Sequence, residues 1–182
     1  MDKKKTIATR YDSSAEIYDK RYNEIQAHKY QEILSRVDFS ESSGIIDIGC
    51  GTGTFLGIIK QLVNGNGKQL LGVDISHKMI KIAHEKFPDI DFIVADSDNL
   101  PIKDGLFERI LSVTHLQNLS EPDKTVSEMK RISTKNALVA ISILRKTWTQ
   151  EELQKILKKS NLEIKDEWIA DVEDIGVICH KS

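Results

Sequence analysis

The sequence of 182 residues predicts an α/β fold in which helices cover both faces of a doubly wound, mostly parallel β-sheet. Three observations support this prediction. Short apolar runs alternate along the chain with stretches of helical periodicity. The first apolar run ends in closely spaced glycines that lead into a helical stretch. Only a short link joins the last two apolar runs, which predicts that the final strand runs antiparallel to its neighbours.

The predicted elements follow one another in a regular order. Residues 1–9 are expected to form a frayed basic tail, and apolar residues at spacings of three and four predict a helix over residues 12–37. Strands are predicted over residues 45–48, 69–73, 90–95, 107–113, 137–144, 162–170 and 175–180. The other helices are predicted over residues 54–63, 76–87, 121–132 and 149–160.

Composition limits the class of protein. No repeat or linker rich in Pro, Gly or Ser divides the chain, so we expect one domain over residues 1–182, with a helical segment at 1–40 and an α/β core at 41–182. Cys50 and Cys179 have no CxxC spacing, which predicts neither a disulfide framework nor a metal site. The polar start and the lack of about 18 consecutive apolar residues predict no signal peptide, no membrane span and a cytoplasmic location.

Glycines are concentrated in one part of the chain. Eight of the ten lie between Gly44 and Gly72, most densely in the segment 47–53, DIGCGTG. This segment joins a predicted strand to a predicted helix, so it brings main-chain N–H groups to the sheet edge where α/β proteins bind ligands. A dinucleotide fingerprint would need glycine in place of Thr54, and the sequence contains no Walker lysine motif.

Three predicted strands each deliver an aspartate to that edge. Asp47 lies at the end of the first strand, and Asp74 and Asp96 follow the second and third. An aspartate beside the glycine loop would repel a pyrophosphate, whereas it suits a cationic ligand. Asp74 lies 25 residues after Gly49, where an acidic residue accepts hydrogen bonds from the hydroxyls of a ribose. The predicted ligand is therefore cationic and contains a ribose.

Taken in this order, these motifs resemble those of the class I S-adenosylmethionine-dependent methyltransferases, specifically the small type 11-like members. The resemblance extends from about Tyr11 to His180 and includes the run LPIKDGLFE at residues 100–108. It implies a single Rossmann-like sheet of seven strands in the order 3-2-1-4-5-7-6, with the last strand antiparallel and an N-terminal lid helix. Asn136 stands where the family has a glycine before the fifth strand, and it is expected to adopt a left-handed turn.

The resemblance also implies the cofactor, S-adenosyl-L-methionine. Asp47 and the glycine loop would hold its methionine part, and Asp74 would bind its ribose. Met79 would pack on the adenine, and Asp96 with Ser97 would meet the adenine edge. The complete set of expected cofactor-binding residues is Tyr18, Asp47, Gly49, Cys50, Gly51, Gly53, Asp74, Ile75, Met79, Asp96, Ser97 and Thr114.

Each of these roles has a structural alternative. If no ligand binds, the glycines serve only to form a tight turn, Asp47 caps a helix, and Asp96 belongs to a solvated turn. For Cys50 we expect the main chain to face the cofactor and the sulfur to pack as a small apolar group.

Tyr18 and His115 are the two candidates for a catalytic role. In the implied lid helix, Tyr18, and after it Tyr11, would hold the cofactor's sulfonium by a cation–π contact worth roughly 1–2 kcal/mol. The alternative is that the tyrosines only pack the helix onto the domain. His115, in the segment that follows the fourth strand, would be either a general base or a partly buried loop histidine. No catalytic residue is assigned from the sequence.

The expected function is transfer of a methyl group from S-adenosylmethionine to an unidentified acceptor, which is a small molecule, or an RNA or protein held with a partner. Residues 112–119 lack the Asn/Asp-Pro-Pro-Tyr/Phe motif of enzymes that methylate adenine or glutamine. Residues 124–165 carry ten Lys and Arg against four Asp and Glu, which leaves nucleic-acid binding open. The alternatives are a non-catalytic domain of this fold, which binds the cofactor or a partner, and a nicotinamide-dependent oxidoreductase.

Overall fold

A computed structural model describes residues 3–63, 68–170 and 173–181. The helices are α1 (Lys3–Leu34), α2 (Thr54–Leu62), α3 (His77–Lys86), α4 (Pro122–Ile132) and α5 (Gln150–Lys159). The strands are β1 (Gly44–Ile48), β2 (Gln69–Asp74), β3 (Asp91–Val94), β4 (Phe107–Val113), β5 (Ser133–Leu144), β6 (Glu163–Ile169) and β7 (Asp174–His180). A short 3-10 turn, Leu116–Asn118, follows β4.

The strands form one sheet in the order β3-β2-β1-β4-β5-β7-β6. The five strands from β3 to β5 pair in parallel, and β7 is antiparallel to both β5 and β6. This confirms the predicted seven-stranded order and the antiparallel last strand. The parallel strands bring the loops after β1, β2, β3 and β4 to the same edge of the sheet.

Apolar side chains cover both faces of the sheet. In β1, Ile46 and Ile48 belong to the group of buried residues that includes side chains of α4 and α5. Ile45, which precedes Ile46 and faces the opposite side of the sheet, belongs to a second group with side chains of α2 and α3 and with Ile33 of α1. All five residues of β1 are buried, which explains why its sequence is continuously apolar apart from Asp47.

The N-terminal helix is longer than the sequence predicts. It begins at Lys3 rather than near residue 12, so the expected tail is wrong for residues 3–9, and residues 1–2 lie outside the described part. The first turn is fixed by long-range contacts, because Lys4 Nζ lies 2.6 Å from Asp96 Oδ2 and 2.7 Å from Asp98 Oδ2. Such contacts leave no local periodicity in the sequence.

Asn136 adopts the left-handed conformation that its position predicts. Its φ is 66°, and it lies where the register between β4 and β5 shifts. The strand β5 starts at Ser133, directly after α4 and earlier than expected.

Among the described helices, none contains an 18-residue stretch apolar enough to cross a membrane.

Candidate functional site

The loop between β1 and α2 is held open by left-handed glycines. The φ angles of Gly49, Gly51 and Gly53 are 84°, 54° and 75°. The N–H groups of Gly49 and Cys50 both donate to the Val73 carbonyl, at 2.8 and 3.0 Å. These bonds fix the start of the loop on the end of β2, which leaves its outer side to face the cleft under α1.

The glycines differ in what surrounds them. A Cβ atom added at Gly49 would lie 2.5 Å from Cγ of His115, so the histidine ring needs glycine there. A Cβ atom added at Gly51 would meet no described atom within 4 Å. Gly51 also lines the cavity under α1. The space beside Gly51 is therefore available to a ligand that approaches the backbone closely.

Asp47 is a buried carboxylate without a full set of partners. Its side chain is 3% exposed, and Oδ1 has no hydrogen-bond partner among the described residues. Burial, together with the nearby Asp74 carboxylate, raises the pKa of Asp47 to about 7. A buried carboxylate with a raised pKa is stabilised by a proton or by a cationic ligand. Such a ligand could reach Asp47 from the cavity that Asp47 and Gly51 both line.

Asp74 connects the glycine loop to the start of α3. Its Oδ2 accepts from the Gly51 N–H at 3.0 Å and its Oδ1 from the Ser76 N–H at 2.9 Å. Burial raises the pKa of Asp74, although these bonds from backbone N–H groups oppose the change. Ile75 and Met79 line the cavity beside Asp74 and give it an apolar wall. The carboxylate, the loop and this wall lie together, as the sequence predicts.

The residues after β3 have partners within the protein. Ser97 Oγ hydrogen-bonds His115 Nε2 at 3.0 Å and Thr125 Oγ1 at 3.1 Å. Burial lowers the pKa of His115 to about 4, against the opposing effect of nearby Asp98 and Asp96. The ring is therefore neutral at ordinary pH and packs on Gly49. These contacts favour the structural alternative for His115.

Asp96 lines a further small cavity next to Asp74, beside Lys4. Although burial acts in the opposite direction, the contact with Lys4 keeps the pKa of Asp96 below its ordinary value.

Cys50 is buried, and burial raises the pKa of its thiol well above the ordinary value. Its sulfur lies 2.8 Å from the position of a Cβ atom added at Gly72, so it packs against β2.

Aromatic side chains of α1 form the roof of the cavity. The Tyr18 ring packs against those of Tyr11 and Tyr22, with centroids 6.2 and 5.0 Å apart. Gln26 Nε2 donates to the Tyr18 hydroxyl at 3.3 Å. Burial raises the pKa of Tyr18, so its ring stays neutral. Tyr18 lines the cavity on both the Asp47 side and the Asp74 side.

Other residues of α1 hold the roof in place, through contacts that were not predicted from the sequence. Asp12 Oδ1 accepts from the Lys78 N–H at 3.1 Å and also from the Ser76 hydroxyl. Asp19 accepts from the Thr52 hydroxyl at 2.6 Å. The two aspartates are seven residues apart, which places them on one face of a helix. This spacing is the signal that could have identified them.

The loop after β4 closes the site from the other side. Thr114 has a φ of 51°, and its carbonyl accepts from Gln117 Nε2 at 2.8 Å and Asn118 Nδ2 at 3.1 Å. Asn118 Nδ2 also donates to the Tyr11 hydroxyl at 3.1 Å.

The described residues contain no group of three or more His, Cys, Asp or Glu side chains arranged to hold a metal ion.

Comparisons with solved structures identify the fold. A SAM-dependent methyltransferase from Aquifex aeolicus superimposes with a TM-score of 0.83 at 19% identity, over 94% of this chain and 98% of that one. A complex between the Trm112 methyltransferase activator of Haloferax volcanii and a methyltransferase gives a TM-score of 0.82 at 17% identity, over 93% and 96% of the two chains.

Sequence comparison identifies relatives among characterised proteins. The ubiquinone/menaquinone biosynthesis C-methyltransferase UbiE of Campylobacter jejuni is 30% identical over 139 residues, which cover 74% of this chain and 59% of the relative. The chain spans about half the length of the curated relatives it matches. The family model described as a methyltransferase domain matches residues 45–136, half of the chain, which include the glycine loop and all three strand-end aspartates. The chain therefore belongs to the methyltransferase-domain family.

Proposed function

We propose that this protein is an S-adenosylmethionine-dependent methyltransferase that acts on an acceptor bound under α1. The observation that carries the proposal is the buried carboxylate of Asp47, whose Oδ1 has no hydrogen-bond partner among the described residues. It lines the same cavity as Gly51, beside which the space is open. A cationic ligand that lies along the glycine backbone satisfies both features.

The residues around the cavity fit this cofactor. Asp47 would bind its ammonium group, with the backbone of Gly51 beside its methionine part. Asp74 would accept hydrogen bonds from the ribose hydroxyls, and its oxygens retain lone pairs after the two bonds from backbone N–H groups. Ile75 and Met79 would pack on the adenine. The other residues expected from the sequence would complete the shell: Tyr18, Gly49, Cys50, Gly53, Asp96, Ser97 and Thr114.

When bound, the cofactor supplies an electrophilic methyl group on a cationic sulfur. The chain's own contribution is to orient the two reactants and to exclude water. Tyr18 would face the sulfonium with a neutral ring, which favours a cation–π contact. His115 is a poor general base, because its pKa is about 4 and its Nε2 is bound to Ser97. We therefore assign catalysis to positioning, without a dedicated base.

We propose residues 1–182 as a single catalytic domain, with residues 1–40 as the lid and residues 41–182 as the core. The relatives leave two classes of acceptor. The curated ones include C-methyltransferases of quinone biosynthesis, which supports a small-molecule acceptor. The similarity to a methyltransferase in complex with an activator supports the alternative of a partner protein that helps to hold a larger acceptor.

Calorimetric titration of the purified chain with S-adenosylmethionine, S-adenosylhomocysteine and NAD tests the proposal. We expect saturable binding of the first two and none of NAD. The absence of binding by both adenosyl compounds would refute the proposal, and binding of NAD alone would favour an oxidoreductase. A turnover assay then separates an enzyme from a non-catalytic domain, since a scaffold would bind the cofactor without consuming it.

A further inference from the structure

A second cleft adjoins the proposed cofactor cavity. It lies between α1, the loop after β4 and the end of β5, and its volume is about 450 Å³. Tyr18, Tyr22 and Gln26 line both this cleft and the cavity around Asp47. The cleft is therefore where an acceptor would meet the reactive end of a cofactor held by the glycine loop, and we refer to it as the acceptor cleft.

Most of the charged residues that line the acceptor cleft are cations. Arg10, Arg21, Lys29 and Lys146 line it, against a single acid, Glu173. The whole chain has a formal charge of −2, so this excess of positive charge is a local property. Not all of the cations are available, because Lys29 is buried in an ion pair with Asp174 at 3.0 Å and Lys146 lies 3.8 Å from Glu173.

Arg21 differs from the lysines because it makes no ion pair with any described residue. Its guanidinium lies over the Tyr22 ring, 5.4 Å from the centroid. Arg10 lies about three helical turns earlier on the same side of α1. It is 4.9 Å from the Tyr11 ring centroid and donates to Asn118 Oδ1 at 3.2 Å. Because Arg21 is stacked on the Tyr22 ring, the edge of its guanidinium can bind a planar oxyanion.

The two compartments under α1 carry opposite charges. The carboxylates of Asp47 and Asp74 line the two adjoining cavities around the glycine loop, together with Asp19, which is paired with Lys86 at 2.6 Å. Cations line the acceptor cleft, and Tyr18 and Tyr22 stand at the boundary. This arrangement suits a cationic cofactor in the first compartment and an anionic molecule in the second, and the charges of the two ligands would attract each other across the boundary.

We infer that the methyl acceptor carries an oxyanion, a carboxylate or a phosphate, which binds Arg21 in the acceptor cleft with Arg10 as the second cation. That the bound anion is the methyl acceptor rests on the proposed function. The existence of the anion site does not depend on it. Arg21 is exposed to solvent, so an incoming oxyanion can reach its guanidinium.

The anion site is tested first without turnover. The ¹⁵N-labelled chain, saturated with S-adenosylhomocysteine, is titrated with inorganic phosphate and separately with malonate, while the Nε–Hε signals of its arginines are followed. Sodium chloride at matched ionic strength corrects for screening. We expect saturable shifts at Arg21 and Arg10 with at least one of the anions and no such shifts at Arg109 and Arg131. The anion that saturates at the lower concentration identifies carboxylate or phosphate.

Variants test the residue assignment. Arg21→Gln is expected to weaken anion binding about tenfold, as loss of a charge-assisted hydrogen bond would, and Arg21→Lys is expected to restore part of it. Lys20→Gln is the matched control, because it removes the same charge from the adjacent residue of α1, which does not line the cleft. Shifts that are equal at all arginines, or that persist unchanged in Arg21→Gln, would overturn the inference.

The acceptor itself is tested by fractionating a cell extract on an anion-exchange resin at neutral pH before the methyl-transfer assay. We expect acceptor activity in the retained fraction, and an about tenfold lower kcat/KM in Arg21→Gln with unchanged cofactor affinity. Acceptor activity confined to the flow-through would contradict the inference. If no fraction is methylated and the cofactor does not bind, the proposed function fails, while the titration with the chain alone still decides whether the anion site exists.

Discussion

Single residues carry most of the functional argument, and Asp47 is the central one. A carboxylate is expensive to bury, and a strand interior normally excludes it. Here it lies within β1 between Ile46 and Ile48 and keeps one oxygen unpaired among the described residues. A buried group of this kind needs a ligand, an ordered water molecule or a functional role to explain it, and the cavity beside Asp47 offers room for a ligand. The elevated pKa of Asp47 is the electrostatic consequence of this burial, and it makes ligand binding depend on pH.

Cofactor affinity is expected to rise with pH up to about 7. In the ligand-free chain Asp47 is largely protonated below a pKa of about 7, and a bound cation favours its ionised form. Binding therefore releases a proton at lower pH and ceases to depend on this group above about 7. Calorimetry in two buffers of different ionisation enthalpy measures the released protons. In Asp47→Asn we expect affinity at least about tenfold weaker and no proton release.

The Asp47 carboxyl group also makes the ligand-free fold less stable as pH rises. Because folding raises the pKa of Asp47, its contribution to stability is fully present below the unfolded pKa and is lost as pH rises through about 7. Urea denaturation across this range should therefore show Asp47→Asn losing less stability than the wild-type chain. A loss of equal size in the two proteins would contradict the assignment.

Two glycines of the loop, Gly49 and Gly51, should respond differently to substitution by alanine. Gly49→Ala meets both a left-handed φ and the His115 ring at 2.5 Å, so we expect a loss of roughly 2–4 kcal/mol in the free energy of unfolding. Gly51→Ala meets no described atom within 4 Å but still needs a left-handed φ of 54°, so it should cost about 1–2 kcal/mol, and its methyl group would project beside the ligand and weaken cofactor binding. Urea denaturation and calorimetry on both variants measure the two effects. Equal effects on binding would argue against a ligand at Gly51.

At the scale of elements, α1 decides how the site is closed. Its contacts with the core reach the ends of β2, β3 and β7 through Asp12, Lys4 and Lys29. Of these, the pair of Lys29 with Asp174 is the most buried, with the two side chains 5% and 1% exposed. Ser142 on β5 also donates to Asp174, at 2.9 Å. The pair therefore joins α1 to two strands of the sheet.

Removing one partner of this pair should destabilise the chain more than removing both charges. Lys29→Met leaves the Asp174 carboxylate buried without its cation, so we expect a loss of about 3–5 kcal/mol in the free energy of unfolding. In the double variant Lys29→Met/Asp174→Asn no charge is left buried, and the loss should be smaller. Urea denaturation of the set measures the coupling. Additive losses would show that the two residues do not depend on each other.

The sequence predicted the elements of the core well and α1 poorly, for a physical reason. The strands and helices of the core are short segments with strong periodicity and clear ends, such as the capping box at Thr149 and Glu152. The first turns of α1 are instead fixed by ion pairs with Asp96 and Asp98, more than ninety residues away. Partners at such distances leave no local pattern, which is why a tail was predicted.

For the whole molecule, the glycine loop and the strand-end aspartates could be placed together from sequence because the parallel sheet requires it. The structure places Asp47 and Asp74 in two adjoining cavities that share Gly49, Gly51 and Tyr18 as lining residues. Other functional contacts could not be predicted, because they depend on how α1 lies across the sheet. The thiol of Cys50 and the ring of His115 have partners that only the folded chain reveals, and the acceptor cleft exists only once α1 covers the loop after β4.

The claim that this molecule is a methyltransferase is tested most directly by following a tritium-labelled methyl group from S-adenosylmethionine into extract fractions, with the wild-type chain beside Asp74→Ala. We expect label in one class of acceptor with the wild-type chain, and a rate lower by about one hundredfold in the variant, which lacks the proposed ribose contacts. No transfer by a wild-type chain that binds the cofactor, or equal transfer by both proteins, would contradict this account.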